Sequence, residues 1–554
     1  MQDTRVATIS TTASKGLPVV VIALFFFVLM SGIFVPIYSD EIVTKWNTTR
    51  FFLDDRHLLS FFPQCSTMSD RVVSWFFYPA ATLVSAAYAD LGPLGIRISG
   101  IILSSAWFSL LLLWCIKQTG EITSAIRRFA GLVALSALGV VPYLFALSRP
   151  EQFMTLPILI LCITALCFKG KKSLAVQCGG AILLSLVVSC FFYVHPKSLF
   201  FLPFFLVALW LTTETYHKAV RFALLAYAIL LFAQVLHESG AIAACTDAPT
   251  IQSVLAANTL LPATLFSGPG EFIHAALSNI VNFPDRLLSH LTFNAVFQSG
   301  WLPPIDGNRS FLFILNLGIR YTLYAFVVGS HLASLVAFLT EIAKRKLTAP
   351  TLLAALLAST DILNVAFFNI QNFYAGTQFV PISMILTGLL MHSLPVQKLY
   401  GSMAAGYSST LIFSILSMAT LLSLVTPSVI ENSSSQKASL PGQPLSIPVF
   451  DTQSHLQSIK SLATSCGLSS ATSENLVLDH MTYFAFLKQK KPIHVLYVSE
   501  FGYGGDLTNG RLLHLLKKIG SPGIISRCEW IPSEFRKAEK SNDMGYCCVN
   551  LNQL

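Results

Sequence analysis

Two neighbouring carboxylates, Asp40 and Glu41, stand directly after the first long apolar segment of the sequence. Adjacent carboxylates repel one another, which raises the pKa of one of them and makes it usable as a general base. We expect Asp40 to take the proton of an attacking hydroxyl, and Glu41 to position the acceptor or to share the proton. The alternative is an acidic flank that is only solvated at a membrane surface. Trp46 follows in the same segment and could stack on a sugar ring or anchor the chain at the interface.

Further polar residues are bunched where later apolar segments begin or end. They are Arg149, Glu151, His195, Lys197, Gln371 and Tyr374. A guanidinium holds phosphate oxygens bidentately, so Arg149 is predicted to bind a phosphate together with Lys197. His195 either donates to the same phosphate or packs, and the remaining three, like Trp46, are candidates for contact with the substrate. The alternative for the cations is that their side chains extend from helix ends to the lipid headgroups.

The composition decides the class of protein that must position these residues. Of 554 residues, 54% are hydrophobic and only 11% are charged, and the mean hydropathy is +0.64. Soluble proteins carry about 25% charged residues, and a buried core does not grow indefinitely with chain length. This composition excludes a soluble enzyme, a disordered chain and a nucleic-acid-binding protein. It indicates a polytopic membrane protein.

Eleven apolar segments are predicted to cross the membrane as helices, since a crossing needs about 20 apolar residues. They are approximately 18–37, 98–116, 129–147, 153–168, 174–194, 198–213, 220–237, 319–340, 351–368, 375–394 and 403–426. The first lacks a cleavage site of small residues, so it is predicted to remain as a helix. A twelfth apolar stretch, 72–89, starts with crowded aromatic residues and Pro79, which is typical of a segment lying flat at the interface.

The basic residues of the connecting loops set the orientation. They share one face if these spans alternate: Lys169, Lys171, Lys172, Arg221, Lys344, Arg345, Lys346 and Lys398. The positive-inside rule makes this face cytoplasmic, with the N-terminus inside and the C-terminus outside. The acidic pair and the polar helix ends then lie together on the outer face, as a membrane active site requires.

The predicted organisation is a transmembrane domain, 1–426, followed by a non-cytoplasmic domain, 427–554. The transmembrane domain carries two external segments, 38–97 and 238–318, the second with turn signals at 269–270 and 303–304. The C-terminal domain is predicted to be a small α/β domain, with a strand at 494–498, a turn at 502–505 and a helix at 511–519. Its four cysteines could form bridges in an oxidising compartment, in pairs that spacing does not reveal: Cys466, Cys528, Cys547 and Cys548. No spacing of Cys and His suggests zinc.

Three stretches give the chain a family resemblance. They are the sequence Tyr38-Ser39-Asp40-Glu41, the flat external segment followed by residues 91–97, and Arg149-Pro150-Glu151. Together they resemble the GT-C superfamily of polyprenyl-phosphate-sugar glycosyltransferases, which includes protein O-mannosyltransferases, the lipid A aminoarabinose transferase and bacterial O-antigen glucosyltransferases. The resemblance covers residues 15–215 by these stretches and the rest by topology. Glu41 departs from the commoner Asp at the second acidic position, which leaves dependence on a divalent cation open.

The resemblance implies an integral-membrane inverting glycosyltransferase, GT-C-like in fold, in the bacterial inner membrane. It would transfer a sugar from a polyprenyl-phosphate donor to an acceptor glycan, lipid or protein in cell-envelope polysaccharide biosynthesis, with its site and C-terminal domain in the periplasm. A transporter or flippase for lipid-linked glycans is the alternative that would need charged residues near the bilayer midplane, and the predicted span interiors are nearly free of charge. A polysaccharide polymerase or ligase would share the outer site but use a lipid-diphosphate donor.

Overall fold

The protein was analysed as a computed structural model. The residues it describes are 3–38, 41, 92–168, 170, 173–243, 249–262, 264–293, 302, 310–369, 373–393, 404–433, 446–447, 449–450, 452–468, 476–486, 493–495, 498–500, 507, 510–518 and 520–554. Three predicted site residues, Asp40, Trp46 and Gln371, lie outside this part of the chain. So do the flat segment 72–89 and the turns at 303–304 and 502–505.

Helices make up nearly all of the described residues before the C-terminal domain. They are α1 (Asp3–Ser31), α2 (Pro93–Thr119), α3 (Ile122–Ser136), α4 (Val141–Leu144), α5 (Pro150–Cys167), α6 (Leu174–Phe192), α7 (Leu202–Thr212), α8 (Lys218–Ala243), α9 (Pro249–Asn258), α10 (Thr264–Ser267), α11 (Pro269–Leu291), α12 (Ser310–Ala343), α13 (Ala349–Phe367), α14 (Gly376–Ser393), α15 (Ala404–Thr420) and α16 (Thr426–Ser433). Short 3-10 turns precede α7 (Pro196–Phe201) and α14 (Phe373–Ala375), and a π-helical turn, Leu421–Val425, joins α15 to α16.

Each of the eleven segments predicted as a span contains a helix. Among the described residues, nine helices are long and apolar enough to cross a membrane. The other two predicted spans are shorter: the apolar helix Pro196–Thr212, and α3 with its 15 residues. The expected class, a polytopic α-helical membrane protein with a small C-terminal α/β domain, is therefore confirmed.

The segment predicted as one helix over 129–147 begins at Ile122 and breaks after Ser136. Gly139 has a φ of 57°, and a Cβ atom there would collide with the carbonyl oxygen of Leu291. Its N–H donates to Ser417 Oγ at 2.8 Å, and the next N–H, of Val140, donates to the Leu291 oxygen at 3.0 Å. This bend ends the helix early and leads the chain into the backbone segment 145–148, which is important for the site.

The predicted external loop 238–318 contains α9 to α11, and the break between α10 and α11 is at Gly268, one residue before the turn predicted at 269–270. Pro269 instead occupies the first position of α11, where its fixed φ favours a helix and its missing N–H costs nothing. The helix buries one face, which includes Phe272, Phe283 and Leu287, and exposes the other. The Pro-Gly pair that predicts a turn in the sequence therefore marks the start of α11.

The C-terminal domain is a small mixed sheet with helices packed on it. Its strands are β3 (Val477–Leu478), β4 (Ile493–His494), β5 (Gly523–Arg527), β6 (Lys540–Ser541) and β7 (Tyr546–Asn550), and its helices are α17 (Gln453–Ser465), α18 (Thr482–Ala485) and α19 (Arg511–Lys518). The strand order is β4-β3-β5-β7-β6, parallel from β4 to β5 and antiparallel beyond. The helix predicted at 511–519 is present as α19, and the strand predicted at 494–498 is shorter.

Two disulfides join Cys466 to Cys548 and Cys528 to Cys547.

A two-stranded sheet ties this domain to the start of the chain. Strand β1 (Ile37–Tyr38), after α1, pairs antiparallel with β2 (Ser446–Ile447), with Ile37 opposite Ile447. Ile37 and Ile96 are buried in the same apolar core as Ile459 of α17. The C-terminal domain therefore packs on the end of the helical bundle where α1 ends and α2 begins.

Candidate functional site

The candidate site lies at that end of the bundle. Short connections join α5 to α6 and α6 to α7, so consecutive helices run in opposite directions. The end of α1 and the start of α2 then meet the start of α5, the start of the Pro196–Phe201 turn, the end of α13 and the start of α14. The polar residues singled out from the sequence stand at these helix ends.

Glu41 forms a fully buried ion pair with Arg97, near the start of α2. The two side chains are 0% exposed, and two N–H···O contacts, of 3.1 Å from Nη1 to Oε1 and 3.0 Å from Nη2 to Oε2, make the pair bidentate. Arg97 also donates to the carbonyl oxygens of Val35, Pro36 and Ala146. Arg97 therefore joins the Glu41 carboxylate to the backbone on both sides of it.

Glu41 also reaches the segment that contains Arg149. Its Oε1 accepts the backbone N–H of Ser148 at 2.7 Å. Ser148 is held a second time, because its hydroxyl lies 2.7 Å from that of Ser99 on α2. Since Arg149 is the next residue after Ser148, this hydrogen bond brings the segment that contains Glu41 close to the segment that contains Arg149.

Glu151, in the first turn of α5, is the centre of a second buried cluster. Its carboxylate lies 3.3 Å from Arg149 Nε, 3.5 Å from Lys197 Nζ and 3.8 Å from His195 Nε2. Arg149, Lys197 and Glu151 are all buried. Three residues predicted from the sequence therefore meet around the carboxylate of a fourth, Glu151.

The histidine of this cluster is neutral. Its Nδ1 accepts the backbone N–H of Lys197 at 3.0 Å, so the ring proton is on Nε2, which faces Glu151. Burial lowers the pKa of His195 to about 3, against the opposing pull of Glu151. Counted over the described residues, the two cations and the one carboxylate give the cluster one net positive charge.

Aromatic rings support the two cations. The Arg149 guanidinium carbon lies 4.2 Å above the ring centroid of Tyr374, and Lys197 Nζ lies 5.2 Å from that of Phe368. Tyr374 was a predicted site residue and contacts Arg149, whereas Phe368 was missed. Such cation–π contacts stabilise a charge where little water reaches it.

Sequence reasoning also missed a polar group inside the spans. Asp361 of α13 is fully buried, and its Oδ1 accepts Gln378 Nε2–H at 2.7 Å while its Oδ2 lies 3.0 Å from His331 Nε2. One turn along α13, Asn364 Nδ2 donates to the backbone oxygen of Lys197 at 3.5 Å. The expectation that span interiors are nearly free of charge needs this correction. A single Asp within an apolar run was the available signal.

Metal binding was left open by the sequence. Within the described part of the chain, no three His, Cys, Asp or Glu side chains lie together so that they could hold a metal ion. Glu41 and Glu151 each face a guanidinium instead. These two carboxylates do not fit a divalent cation.

Comparisons with known proteins found distant structural likenesses alone. No protein-family model matches the chain, and no curated protein matches its sequence. Among solved structures, the chain is similar to the archaeal oligosaccharyltransferase AglB from Archaeoglobus fulgidus, in complex with an inhibitory peptide and a dolichol-phosphate. The identity is 11%, with 92% of this chain and 69% of that chain covered and a TM-score of 0.43. The apo form of the Archaeoglobus fulgidus oligosaccharyltransferase has 10% identity, coverage of 92% and 70%, and a TM-score of 0.41.

A third structure, the same organism's oligosaccharyltransferase in complex with Zn and sulfate, has 10% identity, coverage of 91% and 68%, and a TM-score of 0.43. At this distance the likeness assigns no activity and no residue role to the present chain. Its own helices define it as a polytopic membrane protein with a buried polar site at one end of the bundle.

Proposed function

We propose that this protein is an integral-membrane glycosyltransferase of the GT-C type, which transfers a sugar from a polyprenyl-phosphate donor to an acceptor hydroxyl. The observation that carries the proposal is the hydrogen bond from Ser148 N–H to Glu41. It joins a segment with two adjacent carboxylates to a buried cluster with net positive charge. A hydroxyl-activating group and a phosphate-binding group are the two parts that this reaction needs.

Arg149 and Lys197 are proposed to bind the donor phosphate. A phosphodiester carries one negative charge, and the cluster around Glu151 carries one net positive charge. The contacts of 3.3 and 3.5 Å from Arg149 and Lys197 to Glu151 are longer than those of a tight ion pair, so the two cations can exchange this carboxylate for phosphate. Tyr374 holds the guanidinium plane while this happens, and His195 can donate its Nε2 proton.

Asp40 is proposed as the base. The acceptor oxygen forms a bond to the anomeric carbon, the bond from that carbon to the phosphate oxygen breaks, and Asp40 takes the hydroxyl proton. A single displacement inverts the configuration at that carbon. Because Arg97 binds both oxygens of Glu41, we assign Glu41 the task of positioning Asp40. Trp46 and Gln371 are proposed to contact the sugar or the acceptor.

The proposed setting is the outer, periplasmic face of the bacterial inner membrane, where a glycan, lipid or protein of the cell envelope would be the acceptor. The transmembrane domain, 1–426, would carry the chemistry, with the C-terminal domain, 427–554, on the same side. No step of this scheme passes through a metal ion.

Transfer of a radiolabelled sugar from a polyprenyl-phosphate donor by the protein in liposomes tests the proposal. Asp40→Asn is expected to lower the rate at least about a hundredfold, the minimum usually lost with a general base. Asp285→Asn is the matched control, because that carboxylate is exposed and is paired with exposed Arg320. A variant at position 40 that keeps a tenth of the activity would contradict the base assignment. Transfer from a lipid-diphosphate donor alone would favour a polymerase or ligase.

Arg149→Ala is expected to raise the donor's KM about tenfold or more with little effect on the acceptor's, because a hydrogen bond to a charged phosphate is worth about 1.5–3 kcal/mol. Lys197→Ala is expected to behave similarly. Arg320→Ala, which removes an exposed arginine, should leave both constants unchanged. An increase in the acceptor's KM alone would show that the phosphate lies elsewhere.

A flippase is the second candidate, and the buried pair of Asp361 and His331 favours it, because ion-coupled transport uses ionisable groups within the membrane. Movement of a fluorescent polyprenyl-phosphate across liposomes separates the two functions. Rapid movement without sugar transfer would support the flippase.

A further inference from the structure

His331 and Asp361 form an ionisable pair inside the membrane-spanning bundle. His331 lies in α12 and Asp361 in α13, and their side chains are 8% and 0% exposed. Ionisable groups at such depth are costly and are kept where they do something.

The two hydrogen-bond contacts of the His331 ring call for one shared proton between His331 and Asp361. His331 Nδ1 lies 2.7 Å from the carbonyl oxygen of Val327, which only accepts, so Nδ1 carries hydrogen. Nε2 of a neutral ring would then turn its lone pair toward Asp361 Oδ2, 3.0 Å away. The contact needs a further proton, held either by Nε2 as an imidazolium or by Oδ2 as a carboxylic acid. The pair is neutral overall in both states.

The pair lies beneath Lys197. Asn364, three residues after Asp361 on the same helix, donates to the backbone oxygen of Lys197. Asp361 also attracts the Lys197 ammonium electrostatically. In a dry interior such an interaction is only weakly screened, so the charge on Asp361 affects how strongly Lys197 is available to another anion.

We propose that the His331–Asp361 pair is a charge buffer for the phosphate subsite. It rests on the proposed function, in which the phosphate passes from a diester with one negative charge to a monoester with up to two. As that charge grows beside Lys197, the proton passes from His331 Nε2 to Asp361 Oδ2. The N–H bond breaks, the O–H bond forms, and no electrons are lost or gained. Asp361 then no longer competes for Lys197, and the proton returns when the lipid phosphate leaves.

Infrared difference spectroscopy on the full-length protein in lipid nanodiscs tests the buffer, with polyprenyl monophosphate as the probe. Binding of the probe is expected to produce the C=O band of a protonated carboxyl, which shifts in D2O. The band should be missing in Asp361→Asn and present in Asp285→Asn, whose carboxylate is exposed and distant from the pair. Binding without the band, or a band that persists in Asp361→Asn, would overturn the buffer and leave the proposed function standing.

His331→Gln is the second variant, since a glutamine amide can still donate to Asp361 but has no proton to give. It is expected to bind polyprenyl monophosphate about tenfold more weakly, a coupling of ordinary size between neighbouring sites, with unchanged affinity for a phosphodiester analogue. Equal losses for both lipids would indicate a merely structural role and overturn the buffer. If the wild-type protein binds no monophosphate at all, the proposed function fails together with the buffer.

Discussion

Glu41 and Glu151 are both buried carboxylates that face arginine, but their surroundings give them different tasks. Glu41 accepts two hydrogen bonds from the Arg97 guanidinium and one from the backbone N–H of Ser148. Arg97 in turn donates to three backbone carbonyl oxygens. Glu151 has looser contacts to two cations and a neutral imidazole. The first arrangement fixes a backbone, whereas the second leaves two cations less tightly bound, as the proposed exchange for a phosphate requires.

Glu151→Gln tests whether Glu151 shares Arg149 and Lys197 with a phosphate. Removing one partner of a buried ion pair leaves a charge uncompensated and costs about 3–5 kcal/mol, so the melting temperature should fall. Polyprenyl phosphate should raise the melting temperature more in the variant than in the wild type, because it replaces the missing negative charge. Thermal unfolding with and without the lipid measures both effects.

The control is Glu271→Gln, which removes an exposed carboxylate in the first turn of α11. It should change neither the melting temperature nor the shift with lipid. Equal lipid-induced shifts in Glu151→Gln and in the wild type would show that Glu151 does not share its cations with phosphate.

At the scale of elements, the site depends on how closely α2 approaches the backbone segment 145–148. Gly100 faces the carbonyl oxygens of Ala146 and Leu147, which a Cβ atom would strike. Further along the same helix, Ser104 donates to the carbonyl of Phe145 at 2.5 Å. The close approach places Arg97 where it can bind both Ala146 and Glu41.

Gly100→Ala is expected to destabilise the protein by about 1–3 kcal/mol, the usual cost of overpacking a close contact. Sugar transfer should fall as well, because the 145–148 segment must move away from Arg97. Gly179→Ala, in α6, is the matched control, since nothing lies within 4 Å of its added methyl group. Thermal unfolding and transfer rates check both variants. Unchanged activity in Gly100→Ala would show that the site does not depend on the close approach of α2 to residues 145–148.

Much of this architecture can be predicted from the sequence, because apolar runs of membrane length leave few alternatives to a helix. The clustering of Arg149, Glu151, His195 and Lys197 followed from helix ends that share a face. The partner of Glu41 could not be predicted, since Arg97 is 56 positions away and reaches it only through tertiary packing. Asp361 was missed because averaging hydropathy over a whole span hides a single carboxylate.

At the scale of the whole molecule, the C-terminal domain is joined to the site end of the bundle. The β1–β2 pairing and the core shared by Ile37, Ile96 and α17 connect the two. The strand β1 also lies three residues before Glu41, so the domain supports the acidic segment directly. Strands of two residues carry too little pattern to be recognised, which is why this pairing was not foreseen.

Two buried histidines should make the C-terminal domain sensitive to acid. Burial lowers the pKa of His480 to about 3 and lowers the pKa of His494 well below its usual value. An unfolded histidine has a pKa of about 6.5, so below that pH the unfolded chain binds more protons than the folded one. The free energy of unfolding should then fall by up to about 1.4 kcal/mol per pH unit for each histidine, from about pH 6.5 downward. Burial raises the pKa of Asp479, which offsets part of this loss.

Hydrogen exchange of peptides from the domain, followed by mass spectrometry of the full chain from pH 7 to pH 4, measures the effect. His480→Phe should flatten the dependence, whereas His514→Phe, which changes a histidine on α19 that is not buried, should leave it unchanged. A wild-type domain equally protected at pH 4 and pH 7 would contradict the expectation.

The pairing of β1 with β2 also has a consequence for the order in which the chain matures. At roughly 5–20 residues per second, the roughly 400 residues between the two strands take on the order of 20–80 s to synthesise. During that interval α1 is already in the membrane, while the segment leading to Glu41 waits for the strand that completes it. Helices inserted one after another by the translocation machinery therefore do not yet complete the candidate site. The acidic segment gains its strand partner only after residue 447 has been synthesised and Ile447 has paired with Ile37.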